Sequence, residues 1–170
     1  GDFTTRVGNK CLLMVGSHVA HNCVLEDEVI LANLVTLGGH IHVGFGAFVG
    51  GMSVFHQNIR IGDMAIISGF SASRQDILPY SKGEGRPPVP RGLNVVAMKR
   101  RGVPLEIRTA THEAFKLLIS DDYNTSTLDS GQDEIIQTEK VTLTFTTTQN
   151  QKNNKNNNIT TLDLGECEKI

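Results

Sequence analysis

Tryptophan is absent from this 170-residue sequence, and aromatic residues make up only 5% of it. A core without large rings has to be packed from small and β-branched side chains, and an apolar content of 39% is enough to build one. Cysteine is scarce as well. Cys11, Cys23 and Cys167 form no disulfide framework, and their odd number suits a reducing compartment. Neither charge dominates: a net charge of -2 and a pI near 6.3 argue against a nucleic-acid binder, which is usually basic. No run approaches the roughly 18 apolar residues of a membrane span. Residues 1–10 are polar and Gly-bearing, unlike a signal peptide. These absences point to a soluble cytoplasmic protein of one domain, or one domain with an appendage. The first residue is Gly1 rather than Met, which reads as a fragment.

What is present is a period of six. Steps of six from Val7 meet Leu13, Val19, Leu25, Leu31, Leu37, Val43, Val49, Phe55, Ile61, Ile67 and finally Ser73, the one small polar member. The fifth place of each hexad is small or β-branched, as at Cys11, Ser17, Cys23, Val29 and Val35. No α-helix has this period, so the helical reading is excluded. Hexads of this kind predict a triangular β-solenoid, one short strand per hexad and three hexads per coil. Residues 7–78 then hold four coils, a stack of about 19 Å at parallel-strand spacing.

Stacking brings together residues 18 apart in sequence. His21 should lie over Gly39, Gly39 over Gln57 and Gln57 over Gln75, with His40 and His56 beside them. His18 falls at a different phase of the coil, so His18 and His21 do not form a metal clip. Three readings of this edge stay open. Histidines on solenoid turns can be solvated decoration. A zinc site is a second option, although no Cys, Asp or Glu joins the edge. In the third, His21 is a base working near neutral pH, Gly39 offers a backbone N–H where negative charge develops, and Gln57 and His40 bond a polar substrate.

The solenoid together with "VAHNC" (19–23), "LGGH" (37–40), "HQ" (56–57) and "GLNVVAMKRRG" (92–102) resembles the UDP-N-acetylglucosamine acyltransferases of lipid A biosynthesis, over about residues 1–118. The resemblance implies a left-handed parallel β-helix followed by a small α-helical segment, assembled as a homotrimer. It implies transfer of a 3-hydroxyacyl chain from acyl carrier protein to the 3-hydroxyl of UDP-N-acetylglucosamine, the first step of lipid A biosynthesis, with no cofactor and no metal. His21 would be the general base and Gly39 the oxyanion donor. His18, His40, His56 and Gln57 would line or hold the sugar nucleotide, as would Asn94, Arg100 and Arg101, which match the segment used by a neighbouring subunit. Gly69 falls at the acyl-length ruler, where a glycine leaves room for a long chain. Two departures bear on affinity: Asn22 stands where many members carry an acid, and Val96 where many carry a glutamate. The alternative is an inactive truncated β-helix that serves only as a structural or trimerising module.

Beyond the β-helix of residues 1–78, read as the C-terminal coils of a longer solenoid, residues 79–103 predict a proline-rich connecting loop and a basic segment. Lys82, Arg86, Arg91, Lys99, Arg100 and Arg101 there face a single acid, Glu84. They form a solvated face, or they attract an acidic partner such as acyl carrier protein or the substrate's diphosphate. Residues 104–138 predict a helical segment. Pro104 suits a first turn, and Ile107, Ala110, Thr111, Ala114, Leu117 and Leu118 share a helical face. A second helix is expected near 131–138 with Ser130 as its cap. Residues 139–170 read as a low-complexity or foreign tail, disordered or irregular, although "KVTLTFTTTQ" alternates like a strand and "NQKNNKNNN" is too polar to fold alone.

Overall fold

A computed structural model describes residues 4–119, 133–137, 142–147 and 159–164. The chain divides into two compact units, Gly1–Asn94 and Val95–Ile170.

The first unit is a left-handed parallel β-solenoid. Its first coil holds β1 (Arg6–Val7), β2 (Leu12–Leu13) and β3 (His18–Val19), and its second β4 (Val24–Leu25), β5 (Ile30–Leu31) and β6 (Thr36–Leu37). The third holds β7 (His42–Val43), β8 (Phe48–Val49) and β9 (Val54–Phe55), and the fourth β10 (Arg60–Ile61), β11 (Ile66–Ile67) and β12 (Ala72–Ser73). Three faces result: β1-β4-β7-β10, then β2-β5-β8-β11, then β3-β6-β9-β12. The register is the predicted one, with Val7 opposite Leu25, Leu25 opposite Val43 and Val43 opposite Ile61.

Two features of the hexad enforce this shape. The last residue of each strand points inward: Leu25, Leu31, Leu37, Val43, Val49, Phe55, Ile61 and Ile67 are all buried. Each contributes about 1.5–3 kcal/mol by leaving water. The corners come from a left-handed residue at every sixth position, from Lys10 (φ 54°) through Asn22 (59°), His40 (59°) and Asn58 (63°) to Phe70 (59°). From Glu28 on, the N–H at each such corner turns back to the coil before it, as in His40 N–H to His21 O (3.0 Å) and Asn58 N–H to Gly39 O (3.0 Å). Strand N–H groups run the other way, to the next coil, as in His18 N–H to Val35 O (2.7 Å). The first coil is the least covered: Val7 is 48% and Leu13 42% exposed.

Residues 79–103, expected as a connecting loop, instead form an antiparallel hairpin and a short helix. Strand β13 (Ser81–Gly85) continues the second face beside β11, and β14 (Pro88–Leu93) pairs with β13 at its edge. An edge strand tolerates Pro88 and Pro90, because the N–H groups they lack are needed only on the paired side. The second unit contains α1 (Val95–Arg100) and α2 (Leu105–Ile119). Helix α2 starts directly after Pro104, whose carbonyl accepts the Arg108 N–H at 3.1 Å. It buries Ile107, Ala110, Thr111, Ala114 and Phe115. The helix expected near 131–138 is not there. Residues Asp133–Gln137 form a strand, β15, in an antiparallel sheet with β16 (Thr142–Thr147) and β17 (Ile159–Leu164). Adjacent β-branched Ile135 and Ile136 favour that choice once a partner strand exists. The tail 139–170 therefore holds two strands, although it was expected to be irregular. Ser130 and the asparagine-rich stretch 150–158 lie outside the described residues.

Candidate active site

His21, Gly39 and Gln57 occupy successive turns at the corner between the third face (β3, β6, β9) and the first (β4, β7, β10). The His21 ring lies against the Gly39 α-carbon. A Cβ on Gly39 would come within 2.7 Å of His21 Nε2 and 3.0 Å of Nδ1, closer than side chains pack, so only glycine fits beneath the ring. The His40 ring meets that of His21 edge to face, with centroids 5.1 Å apart and planes at 85°. His21 is exposed and Gly39 buried.

Asn22 lies against the imidazole. His21 Nδ1 is 2.9 Å from Asn22 Oδ1; in the tautomer with the hydrogen on Nδ1 the ring donates to that oxygen and Nε2 keeps its lone pair. The left-handed backbone at Asn22 (φ 59°) brings its short side chain back to the ring.

The backbone of Gly38 and Gly39 is tied down on three sides. Gly38 N–H donates to Phe55 O (3.0 Å), Asn58 N–H donates to Gly39 O (3.0 Å), and the Cys23 thiol donates to Gly38 O (3.0 Å). A side chain at Gly38 would meet Gln57 N at 2.8 Å. The fourth polar group, the Gly39 N–H, donates no hydrogen bond among the described residues. In a trans peptide the N–H points away from its carbonyl; here the carbonyl turns inward to buried Cys23, so the N–H turns outward. Burial pushes the Cys23 thiol above its ordinary pKa, so it stays protonated as a donor. The same turn position is closed elsewhere: Asp27 Oδ1 accepts from Asn9 N–H and Asp63 Oδ1 from Phe45 N–H (2.9 Å).

The other expected residues distribute unevenly. Gln57 and His56 are exposed at the same corner, and His56 Nδ1 lies 3.3 Å from Gln57 O. His18 is exposed on the outer side of β3, opposite Thr36. Gly69 lies at a different corner, between β11 and β12, where a Cβ would meet Gly51 O at 3.0 Å. Asn94 does not stand with these residues. It is buried, and its amide donates to Met64 O at 2.8 Å, which fixes the side chain against the solenoid. Arg100 and Arg101 are exposed in the second unit. Sequence reasoning missed Cys23, whose hexad place looked like simple core filling. Among the described residues no group of three or more His, Cys, Asp or Glu is placed to hold a metal ion. No helix among them is long and apolar enough to cross a membrane.

The sequence model of the family described as "Udp N-acetylglucosamine O-acyltransferase; Domain 2" matches residues 76–158, which takes in part of the tail. An acyl-[acyl-carrier-protein]--UDP-N-acetylglucosamine O-acyltransferase of Synechocystis is 42% identical over 118 residues, 69% of this chain and 43% of that protein. One of Sinorhizobium fredii is 44% identical over 113 residues, 66% of this chain and 42% of that protein. The crystal structure of UDP-N-acetylglucosamine O-acyltransferase from Moraxella catarrhalis superposes with a TM-score of 0.67 at 39% identity, covering 69% of this chain and 46% of that one. The chain thus spans less than half the length of these relatives.

Proposed function

We propose, for a chain that is a partial UDP-N-acetylglucosamine O-acyltransferase-like chain, that the corner at His21 and Gly39 transfers a 3-hydroxyacyl group from acyl carrier protein to the 3-hydroxyl of UDP-N-acetylglucosamine. This is the entry step of lipid A biosynthesis, carried out in the cytoplasm by a homotrimer. The observation that carries the reading is the free Gly39 N–H beside an imidazole whose Nε2 is left as the acceptor.

In the reaction, His21 Nε2 takes the proton from the sugar hydroxyl as its oxygen attacks the thioester carbonyl. The Gly39 N–H bonds the oxyanion of the tetrahedral intermediate. Collapse expels the carrier thiolate, which takes the proton back from the imidazolium. A thioester is already activated, so the exchange needs neither a covalent enzyme intermediate nor a cofactor. Base and oxyanion donor are each worth about 10²- to 10⁴-fold in rate. His40, Gln57, His56 and His18 hold the sugar nucleotide, and Asn94, Arg100 and Arg101 of a neighbouring subunit of the trimer bind its nucleotide or phosphates. Gly69 leaves room for the end of a long acyl chain.

A His21→Ala variant should bind UDP-N-acetylglucosamine by calorimetry yet transfer almost no acyl group; substantial residual turnover sinks His21 as the base. A second reading, a structural or trimerising module without turnover, is favoured by the span of the chain, less than half the length of the relatives it matches. Acylated UDP-N-acetylglucosamine formed by the purified chain rejects that one.

A further inference from the structure

The Gly39 peptide is held by a side chain from inside the solenoid. Cys23 is fully buried, and its Sγ lies 3.0 Å from Gly38 O and 3.8 Å from His21 O, so one thiol touches the carbonyls on both sides of the corner. Gly38 O and Gly39 N–H are the two ends of one planar amide. A donor on the carbonyl end fixes the direction of the N–H and adds to its polarity, as in any chain of hydrogen bonds.

We infer that Cys23 is a positioning residue, whose thiol donates to Gly38 O and so aims and polarises the Gly39 N–H. This rests on the reading of Gly39 as the oxyanion donor. The alternative role for Cys23, core filling, is what its place in the hexad suggests, and other hexads show which substitutions separate the two. At the same place in other hexads, Cys11 Sγ bonds Glu26 O at 3.1 Å and Ser53 Oγ bonds Ser68 O at 3.2 Å, both 15 residues ahead, the separation of Cys23 and Gly38. A hydroxyl is therefore able to replace the thiol. Ala47, Ala65, Val29 and Val35 fill that place without any donor and are fully buried, so the fold accepts Ala and Val there.

The test compares Cys23→Ser, Cys23→Ala and Cys23→Val in the purified chain, with acyl carrier protein thioester and UDP-N-acetylglucosamine as substrates. Cys23→Ala and Cys23→Val should lower kcat about three- to tenfold, the scale of one weak donor and the polarisation it adds, with KM for the sugar nucleotide nearly unchanged. Cys23→Ser should restore kcat to near the starting value. The Gly39 amide signal in a ¹H–¹⁵N spectrum should move in the Ala variant and return in the Ser variant. Equal losses in Ser and Ala, or an unchanged kcat and Gly39 signal in Ala, overturn the inference. His21→Ala is the control for the parent reading: full turnover in that variant refutes the base, while the Gly39 signal still decides the role of Cys23.

Discussion

Replacing Gly39 by alanine tests whether the glycine is there for the turn or for the ring. Turns at the same place in other hexads carry Asn33, Phe45 and Gln57, and Gly39 is not among the residues with positive φ. The backbone therefore accepts a side chain. The ring does not: the new methyl would sit 2.7 Å from His21 Nε2 and closer still to Cε1, against an ordinary contact of about 3.4 Å, so the imidazole has to move by more than about 0.7 Å. The ring is exposed on its outer side, so it swings outward and the cost stays near the low end of overpacking, about 1 kcal/mol. The swing breaks the 2.9 Å bond to Asn22 and takes Nε2 off line. A misplacement of that size is worth about 10² in kcat. Thermal unfolding of Gly39→Ala, His21→Ala and the double variant completes a cycle: Gly39→Ala should destabilise only while the imidazole is present. Wild-type turnover in Gly39→Ala, or the same destabilisation with and without the ring, would falsify the contact as the reason for the glycine.

Two further outcomes follow from individual side chains. Asn22→Asp places a carboxylate on His21 Nδ1 and favours the imidazolium, so the acid limb of kcat/KM should move to higher pH; a superimposable profile means that residue 22 does not touch the base. Burial holds the Asp76 carboxyl above the usual range, although the Arg60 N–H (2.8 Å) and the Arg60 charge both pull it down. A folded pKa above the unfolded one means that its contribution is full below the ordinary carboxylate pKa and is lost as pH rises through the folded value. Asp76→Asn keeps the acceptor without the charge, so it should raise Tm at pH 7 and lose that advantage as the solution is acidified through the carboxylate range. A lower Tm at pH 7 refutes this.

The period of six was enough to stack His21 on Gly39 and Gln57, because parallel register with three strands per coil leaves no freedom in which residues meet. It also separated His18 from His21. What it left out are the bonds made across that register. The Cys23 thiol looks like small core filling until its carbonyl partner is known. Asn22 looks like a lost acid until the left-handed corner turns its oxygen onto the ring. The bond of Asn94 to Met64 O is another such contact, because the motif that singles out Asn94 says nothing of what its amide holds. The proline-rich stretch could become a hairpin because proline is excluded from central strands and not from edge strands. Residues 133–137 became a strand because two further strands were available to pair with it.

Because each coil is bonded only to the coil before and after it, the solenoid could take up a duplicated unit of eighteen residues with no rearrangement of the coils already there. Where the duplication fell would matter a great deal. Inserted beyond Asn58, it would leave His21, Gly39 and Gln57 in their present order and merely lengthen the rod. A copy of a different coil inserted between the turns that bear Ala20 and Gly38 would lift Gly39 away from the imidazole by one strand spacing, about 4.8 Å, while every strand still found a neighbour. Such a protein would fold as well as its parent and lose the pairing on which the proposed reaction depends. In this architecture, lineage growth by copying is thermodynamically easy, and it is the spacing between two turns that selection has to hold constant.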